Sequence, residues 1–200
     1  MLRELRPSIV MLLLMTLITG LAYPMAITSV AQILFPWQAN GSIVDRAGQP
    51  VGSVLIGQSF AGPGYFHARL SATTAPDPKD ATKTLPAPYN ASNSSGSNLA
   101  PTAKALVDRV ADDVKGLQAE VPNTAIPADL VTTSGSGLDP HITPQAAAFQ
   151  IARVATARKV PEATVRNLIA AHTEGRLLGL IGEPRVNVLA LNMALDTIAK

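Results

Sequence analysis

"MLRELRPSIVMLLLMTLITGLAYPMAITSVAQILFPW", residues 1–37, decides the architecture of this chain. Arg3 and Arg6 precede a run from Ile9 to Leu34 in which Gln32 is the only strongly polar side chain. A helix rises about 1.5 Å per residue, so about 20 residues cross a hydrocarbon core and this run is long enough with some tilt. Pro24, inside the run, lacks an N–H and is expected to kink the helix or free one backbone carbonyl. Phe35 and Trp37 close the run, where aromatic rings favour the membrane interface. The two arginines favour a cytoplasmic N-terminus, which puts everything after Trp37 outside. A cleaved signal peptide would begin in the same way, with Gly20-Leu21-Ala22 or Ser29-Val30-Ala31 as small-x-small sites. The apolar run outlasts the about 7–15 residues of a signal core, so the reading is a retained anchor. The expected division is a short cytoplasmic N-terminus (1–8), a transmembrane helix (9–35) and an extracytoplasmic domain (36–200).

The rest of the composition excludes several classes. Only 15% of the 200 residues are charged, and Pro7 to Val44 carries no Asp, Glu, Lys or Arg. The net charge of +2, with no basic stripe interleaved by aromatics, argues against nucleic-acid binding. Cysteine is absent, which removes disulfides, thiolate metal ligands and Cys nucleophiles. His67 and His172 stand in neither HxxxH nor HExxH spacing, so no metal is expected.

Beyond the anchor the pattern is mixed. Ser42–Val44 and Val51–Gln58 read as strands, with Asp45, Gly48 and Pro50 turning between them. Residues 75–100, rich in Pro, Ala, Ser, Asn and Gly, read as an extended surface loop with little core to bury. Pro101 is expected to open a helix with Leu106, Val110, Val114 and Leu117 on one face, capped by Ser97 or Asn98. "ADLVTT" is a strand candidate. "TPQAAAFQIARVATARK" predicts a helix with Thr143 as N-cap and Pro144 at its first position, and "PEATVRNLIAAHTEG" another that closes at Gly175. "RVNVLALNMALDTIAK" starts as a buried strand and turns helical towards Lys200. The class is α+β behind one membrane helix.

The chemistry, if any, concentrates in "TSGSGLDPHITPQ", residues 133–145. Ser134, Gly135, Ser136 and Gly137 could offer backbone N–H groups to a phosphate, but a P-loop requires GxxxxGK[ST] and no Lys follows. The simpler reading is a glycine-permitted turn set by Asp139-Pro140. Ser136, Asp139 and His141 have the residue types of an acyl-transfer site, which would make this an anchored envelope hydrolase; GxSxG is absent. Arg185, Asn187 and Asn192 are polar groups in an apolar run, where a structural hydrogen-bonding role is expected because buried polar groups must be paired.

Segment by segment, "VGSVLIGQSF", "YFHARLSA", "SGSNLAPT", "PADLVTTSGSGLDPHITPQAA", "QIARVATAR" and "GEPRVNVLALNMALD" resemble the C-subunit family of the Kdp potassium-transporting ATPases. Leu70, Ala103 and the stretch Pro76–Pro88 depart from the family pattern. The resemblance implies an accessory subunit of a bacterial inner-membrane potassium importer, not an enzyme by itself. Its implied partners are a potassium-channel-like subunit and a P-type ATPase subunit, with a small single-span subunit as a further candidate. ATP and K+ would be handled by the complex, with no cofactor held by this chain. The family has been described as a catalytic chaperone that raises ATP affinity, with a Gln near the SGSG segment likened to an ABC-transporter signature. Gln145 and Gln150 are the local candidates. The expected topology puts that segment outside, away from ATP, so an effect on ATP affinity would be indirect.

Overall fold

The computed structural model describes residues 2–198, which fall into two compact units, one up to residue 53 and one from residue 54. The first unit is dominated by a continuous helical rod, Arg3–Leu34, long and apolar enough to cross a membrane and exposed along its length. It consists of α1 (Leu2–Leu17), a π turn (Ile18–Ala22) and α2 (Tyr23–Leu34). The π turn answers the problem posed by Pro24. Tyr23 donates its N–H to Ile18 O, one residue further back than in an α-helix. Widening the turn ahead of a proline makes room for its ring and accommodates its missing N–H, so the rod continues through Pro24 without ending. Helix also extends into residues 2–8, expected only as a short lead-in.

Phe35 leaves helical geometry, and α3 (Pro36–Ala39) follows. The Gln32 and Asn40 amides pair across this break, and the Trp37 indole donates to Ile43 O at 2.8 Å. Then β1 (Ile43–Arg46) and β2 (Gln49–Ser53) form an antiparallel hairpin. Its turn is Ala47-Gly48, both at positive φ, 51° and 77°. This is a correction: Asp45 and Pro50, expected in the turn, face each other in the ladder, and residues 54–58 lie outside the strand. The twist of a two-residue hairpin demands positive φ at both turn positions, and Ala gives no composition signal for that.

The second unit is α+β. Residues 75–100 are not wholly loop, because β3 (Thr74–Asp77) and β4 (Asp80–Pro86) pair as a hairpin that takes in most of the departing stretch Pro76–Pro88. Helix α4 (Lys104–Glu120) begins three residues after Pro101, with Ala103 at its N-cap and no side-chain cap. Ser97 instead accepts from the Thr133 hydroxyl, and Asn98 takes a left-handed φ of 50°. Leu106, Val110, Val114 and Leu117 are all half-buried, as the spacing predicts. The "ADLVTT" segment is a 3-10 turn, Ala128–Leu130, and only Thr133 makes a bridge, parallel to Leu70.

The core lies further on. After β5 (His141–Ile142), the long expected helix is split into α5 (Pro144–Phe149) and α6 (Ile151–Arg158). The Gln150 side-chain amide takes Ala146 O at 3.2 Å, while the Gln150 N–H turns to Ala147 O, which tightens and breaks the ladder there. Helix α7 (Glu162–Ala171) ends at His172, not Gly175. Its last carbonyls accept from the Thr173 hydroxyl and the His172 N–H, and the chain passes straight into β6 (Thr173–Glu174). β7 (Arg185–Asn187) leads directly into α8 (Val188–Ile198); the run towards Lys200 passes beyond the described residues. The three short strands form an antiparallel sheet in the order β5-β7-β6. Helices α5–α8 bury Phe149, Val154, Val165, Ile169, Leu191 and Leu195 against it.

The segment Gly64–His67 threads this core without belonging to any strand, and side chains satisfy its backbone. Phe66 is fully buried; its N–H donates to Asn192 Oδ1 at 2.8 Å and its C=O accepts from Asn192 Nδ2 at 3.0 Å. His67, one residue on, makes the same pair of bonds with the Gln150 amide, at 2.8 and 3.1 Å. Arg153 donates to Pro63 O and Tyr65 O, and Arg158 donates to Gly64 O while lying over the Tyr65 ring. Removing the Asn192 amide leaves both Phe66 backbone groups buried and unpaired, at about 1–3 kcal/mol each. Asn192→Ala is therefore expected to destabilise the full chain by roughly 2–5 kcal/mol, read as a lowered midpoint in thermal unfolding in detergent. A change below about 0.5 kcal/mol would contradict this role.

Candidate functional site

The 133–145 stretch is built inward from its glycines. Gly137 has a φ of +68°, and a Cβ there would lie 2.4 Å from Thr73 Cγ2 and 2.6 Å from Ser95 O. Both the conformation and the close approach require Gly. Gly135 is different, with open space around it. Ser134 is buried, donates its N–H to Leu70 O at 2.9 Å, and accepts from the Gly137 N–H at 3.1 Å through its hydroxyl. Ser136 Oγ lies 3.1 Å from Ser134 Oγ and accepts from the Leu138 N–H at the same distance. The Ser94 hydroxyl donates to Ser136 O at 3.0 Å, so the polar segment 94–97 packs against the SGSG turn. The N–H groups of Ser134, Gly137 and Leu138 are thus spent inside the protein.

Asp139 is the electrostatic centre. Its Oδ2 accepts from Arg69 Nη1 at 3.0 Å, and its Oδ1 accepts from the His141 N–H at 3.0 Å across Pro140. The His141 ring nitrogen Nδ1 stands 3.6 Å from the same Oδ1. Burial pushes the Asp139 carboxyl up, but the His141 ring and backbone N–H and the Arg69 guanidinium outweigh it and hold the pKa down at about 2. Arg69 also donates to Thr133 O at 3.3 Å, and its own carbonyl accepts from the Tyr89 hydroxyl. Burial, then the Asp139 charge, push the Tyr89 phenol up to about 12, against a smaller opposing effect of Arg69, so Tyr89 stays a donor. Gly57 fits beneath, where a Cβ would lie 2.6 Å from both Asp139 O and the Tyr89 ring. Thr143 caps α5 as expected, accepting from the Ala146 N–H at 3.1 Å, and is itself held by Asp129, which accepts from its N–H and hydroxyl.

The structure separates the remaining candidates. Gln145 is exposed on the first turn of α5. Gln150 is buried, and its amide is occupied by His67, Ala146 and Arg153. Asn187 caps α8 by accepting from the Ala190 N–H and donates to Val54 O. Arg185 is exposed and pairs with Glu174, its partner across β7 and β6. Asn192 clamps Phe66. Pro24 lies in the helical rod, in the other unit. Ser136 and Asp139 lie in one loop that runs into His141 at the start of β5, but the Ser136 hydroxyl bonds to Ser134 and Leu138 and Asp139 is committed to Arg69, so among the described residues Ser136 makes no contact with a base. No group of three or more His, Asp or Glu side chains converges on a possible metal position among the described residues.

Sequence reading missed Arg69, Tyr89, Asp129, Arg153 and Arg158. Their partners lie 14 to 94 residues away, so no local spacing announces them. Cleft-like cavities flank the segment that carries Arg69, among them one of about 410 Å³ that it shares with Gln58–Ala61, Pro88 and Tyr89. Another, of about 290 Å³, lies between α4 and His67–Leu70. A further one, of about 330 Å³, is lined by Arg69, Asp129, Asp139 and His141 and by Glu183–Arg185.

The pH response follows from these environments. A depressed carboxylate pKa contributes stability that is present above its unfolded value and lost as pH falls through the folded one. For Asp139 that window runs from about pH 4 down to about pH 2. His67 adds acid sensitivity beginning nearer pH 6.5. Burial and then the neighbouring Arg153 charge lower its pKa, so the fold favours neutral imidazole. Asp139→Asn should flatten the loss of thermal stability between pH 4 and pH 2 relative to the unsubstituted chain; equal slopes would sink the assignment. Gly137→Ala should destabilise strongly while Gly135→Ala changes the melting midpoint little, a contrast that matching midpoints would contradict.

This constellation, a serine-glycine turn anchored by buried Ser134 and Gly137, locked by an Arg–Asp pair and joined to a capped helix, lies in a chain with full-length relatives. The chain is 63% identical over 199 residues to a protein of Bradyrhizobium diazoefficiens, covering all of this chain and 99% of the relative. It is 64% identical over 199 residues to one of Methylobacterium nodulans, with the same coverage, and 62% over 196 residues to one of Rhodopseudomonas palustris, covering 98% of each chain. Each relative is named as a potassium-transporting ATPase KdpC subunit. A family model described as "KdpC: K+-transporting ATPase, c chain" matches residues 5–197, and the chain belongs to that family.

Proposed function

We propose that this chain is a non-catalytic accessory subunit of an ATP-driven potassium import complex, needed for assembly and stability of that complex. The observation that carries the reading is similarity over the whole length to relatives named as subunits of a potassium-transporting ATPase. Its partners are the channel-like subunit and the P-type ATPase subunit of the same complex, in the bacterial inner membrane.

The rod Arg3–Leu34 is a retained single span with its N-terminus in the cytoplasm, as Arg3 and Arg6 favour. The α+β unit is then extracytoplasmic and sits on the channel-like subunit near the ion entrance. ATP binds on the opposite side. The occupied amide of Gln150 and the internal bonds of the SGSG turn also leave little of either for a nucleotide. A chaperone-like increase in ATP affinity would therefore be indirect: this subunit binds one conformational state of the complex more tightly than another, and the coupling is felt at the nucleotide site.

Topology is the decisive test. The open surroundings of Gly135 make it a better reporter than Gly137, and the chain has no native cysteine. Gly135→Cys in the intact complex should react with a membrane-impermeant maleimide added outside unbroken cells. Reaction only after the membrane is permeabilised would overturn the outside placement. Deleting the chain should abolish growth under potassium limitation, whereas Ser136→Ala should preserve it.

A further inference from the structure

The helical rod continues past Pro24 but leaves one carbonyl without a donor. In an α-turn Thr19 O would accept from the N–H of residue 23, and in a π-turn from the N–H of residue 24. Tyr23 donates to Ile18 O instead, and Pro24 has no N–H to give. The Thr19 hydroxyl does not help, because it donates to Met15 O at 2.6 Å. One turn on, the Tyr23 side chain is exposed, and its hydroxyl has no hydrogen-bond partner among the described residues. Residues three and four apart share a face of a helix, so Thr19, Gly20 and Tyr23 stand on one side of the rod. Gly20 keeps that side open: a Cβ there would meet only Thr16 Cγ2, at 4.0 Å.

Depth gives this pair its meaning. At 1.5 Å per residue, Thr19 and Tyr23 lie about 15 and 21 Å along the rod from Ile9, where the apolar run begins, and about 23 and 17 Å from Leu34, where it ends. Both therefore fall inside a hydrocarbon core of roughly 30 Å wherever that run is centred. Hydrocarbon supplies no donor to a carbonyl and no acceptor to a phenol, and unsatisfied polar groups are strongly disfavoured there. Tyrosines of membrane helices gather at the interface, where water reaches the hydroxyl, and Tyr23 is not at the interface. Lipid is thus the wrong cover for this side of the rod. What fits is a side chain that offers a donor and an acceptor together, as the Asn192 and Gln150 amides do for Phe66 and His67.

We infer that Thr19 O and the Tyr23 hydroxyl form a mid-membrane hydrogen-bonding site for one polar side chain, an amide or a hydroxyl, on a transmembrane helix of the channel-like subunit. That side chain donates to Thr19 O and accepts from Tyr23, and Gly20 lets the two helices approach closely. This rests on the accessory-subunit reading above, in which the α+β unit covers the same subunit. The test expresses each variant together with the unsubstituted chain and counts both by mass spectrometry in complex purified through a tag on the channel-like subunit. Tyr23→Phe, which removes only the hydroxyl, should be incorporated about threefold less than the unsubstituted chain, the usual size of a hydrogen bond between membrane helices. Gly20→Leu, which blocks the approach, should be incorporated about tenfold less. Leu21→Val, across the helix from Thr19, should be incorporated equally. Equal incorporation of Tyr23→Phe and Gly20→Leu would overturn the site and leave the subunit reading intact. Absence of the unsubstituted chain from the purified complex would overturn that reading, and the site with it. Photoreactive benzoylphenylalanine in place of Tyr23 gives a second measurement, which decides if the other variants fail to insert. In the intact complex it should attach to a transmembrane peptide of the channel-like subunit that contains Ser, Thr, Asn or Gln. Attachment only to lipid, to a second copy of this chain, to another subunit or to a peptide without such a residue would overturn the proposal.

Discussion

Phe66 and His67 are held from the two sides by the amides of Asn192 and Gln150, and the second unit depends on that arrangement. An extended segment inside a helical core has backbone groups that must be paired, and no neighbouring strand is there to pair them. Two side-chain amides, each offering one donor and one acceptor, take the place of the missing ladder. Asn192 lies on α8 and Gln150 at the junction of α5 and α6, so one segment ties together helices that are 42 residues apart in sequence. The same Gln150 amide breaks the long helix at that point, which gives the split of α5 from α6 a cause in the clamp itself.

From the clamp the chain runs directly to Arg69 and Leu70, and these organise the 133–145 stretch. Leu70 receives the Ser134 N–H through its carbonyl, and Arg69 holds Asp139. Asp139 in turn fixes His141 at the start of β5, and Thr143 closes α5 with the help of Asp129. Carried by a salt bridge and by N–H groups donating to buried oxygens, this relay joins the serine-glycine turn to the core. Its chemistry is that of positioning. The polar groups that suggested catalysis are paired with each other and with backbone, and what they leave toward solvent is a shallow cleft of mixed charge.

How much of this could be read from residue order depends on the range of each interaction. The helical rod follows from an uninterrupted apolar run. Thr143-Pro144 announces its helix through a cap that acts over three residues, and β7 passing into α8 follows from an apolar stretch that changes period. The hairpin turn was legible at Gly48, but its narrowing to Ala47-Gly48 escaped because left-handed φ at Ala carries no compositional mark, and the end of α7 escaped because His172 and Thr173 satisfy its carbonyls where Gly175 was expected to. The strand proposed for "ADLVTT" failed because Asp129 is needed on a 3-10 turn to reach Thr143, a partner 14 residues on.

The sequence by itself determined the apolar rod, the α+β class, the family and the presence of polar residues that had to be paired. Those properties arise from local periodicity and from long irregular motifs. Only the tertiary structure decided that Gln150 and Asn192 bind backbone, that Asp139 belongs to Arg69, and that Gly137 and not Gly135 is sterically obligatory. Each of these turns on which distant segment comes within about 3 Å of a given atom. That is fixed when the helices close around Phe66.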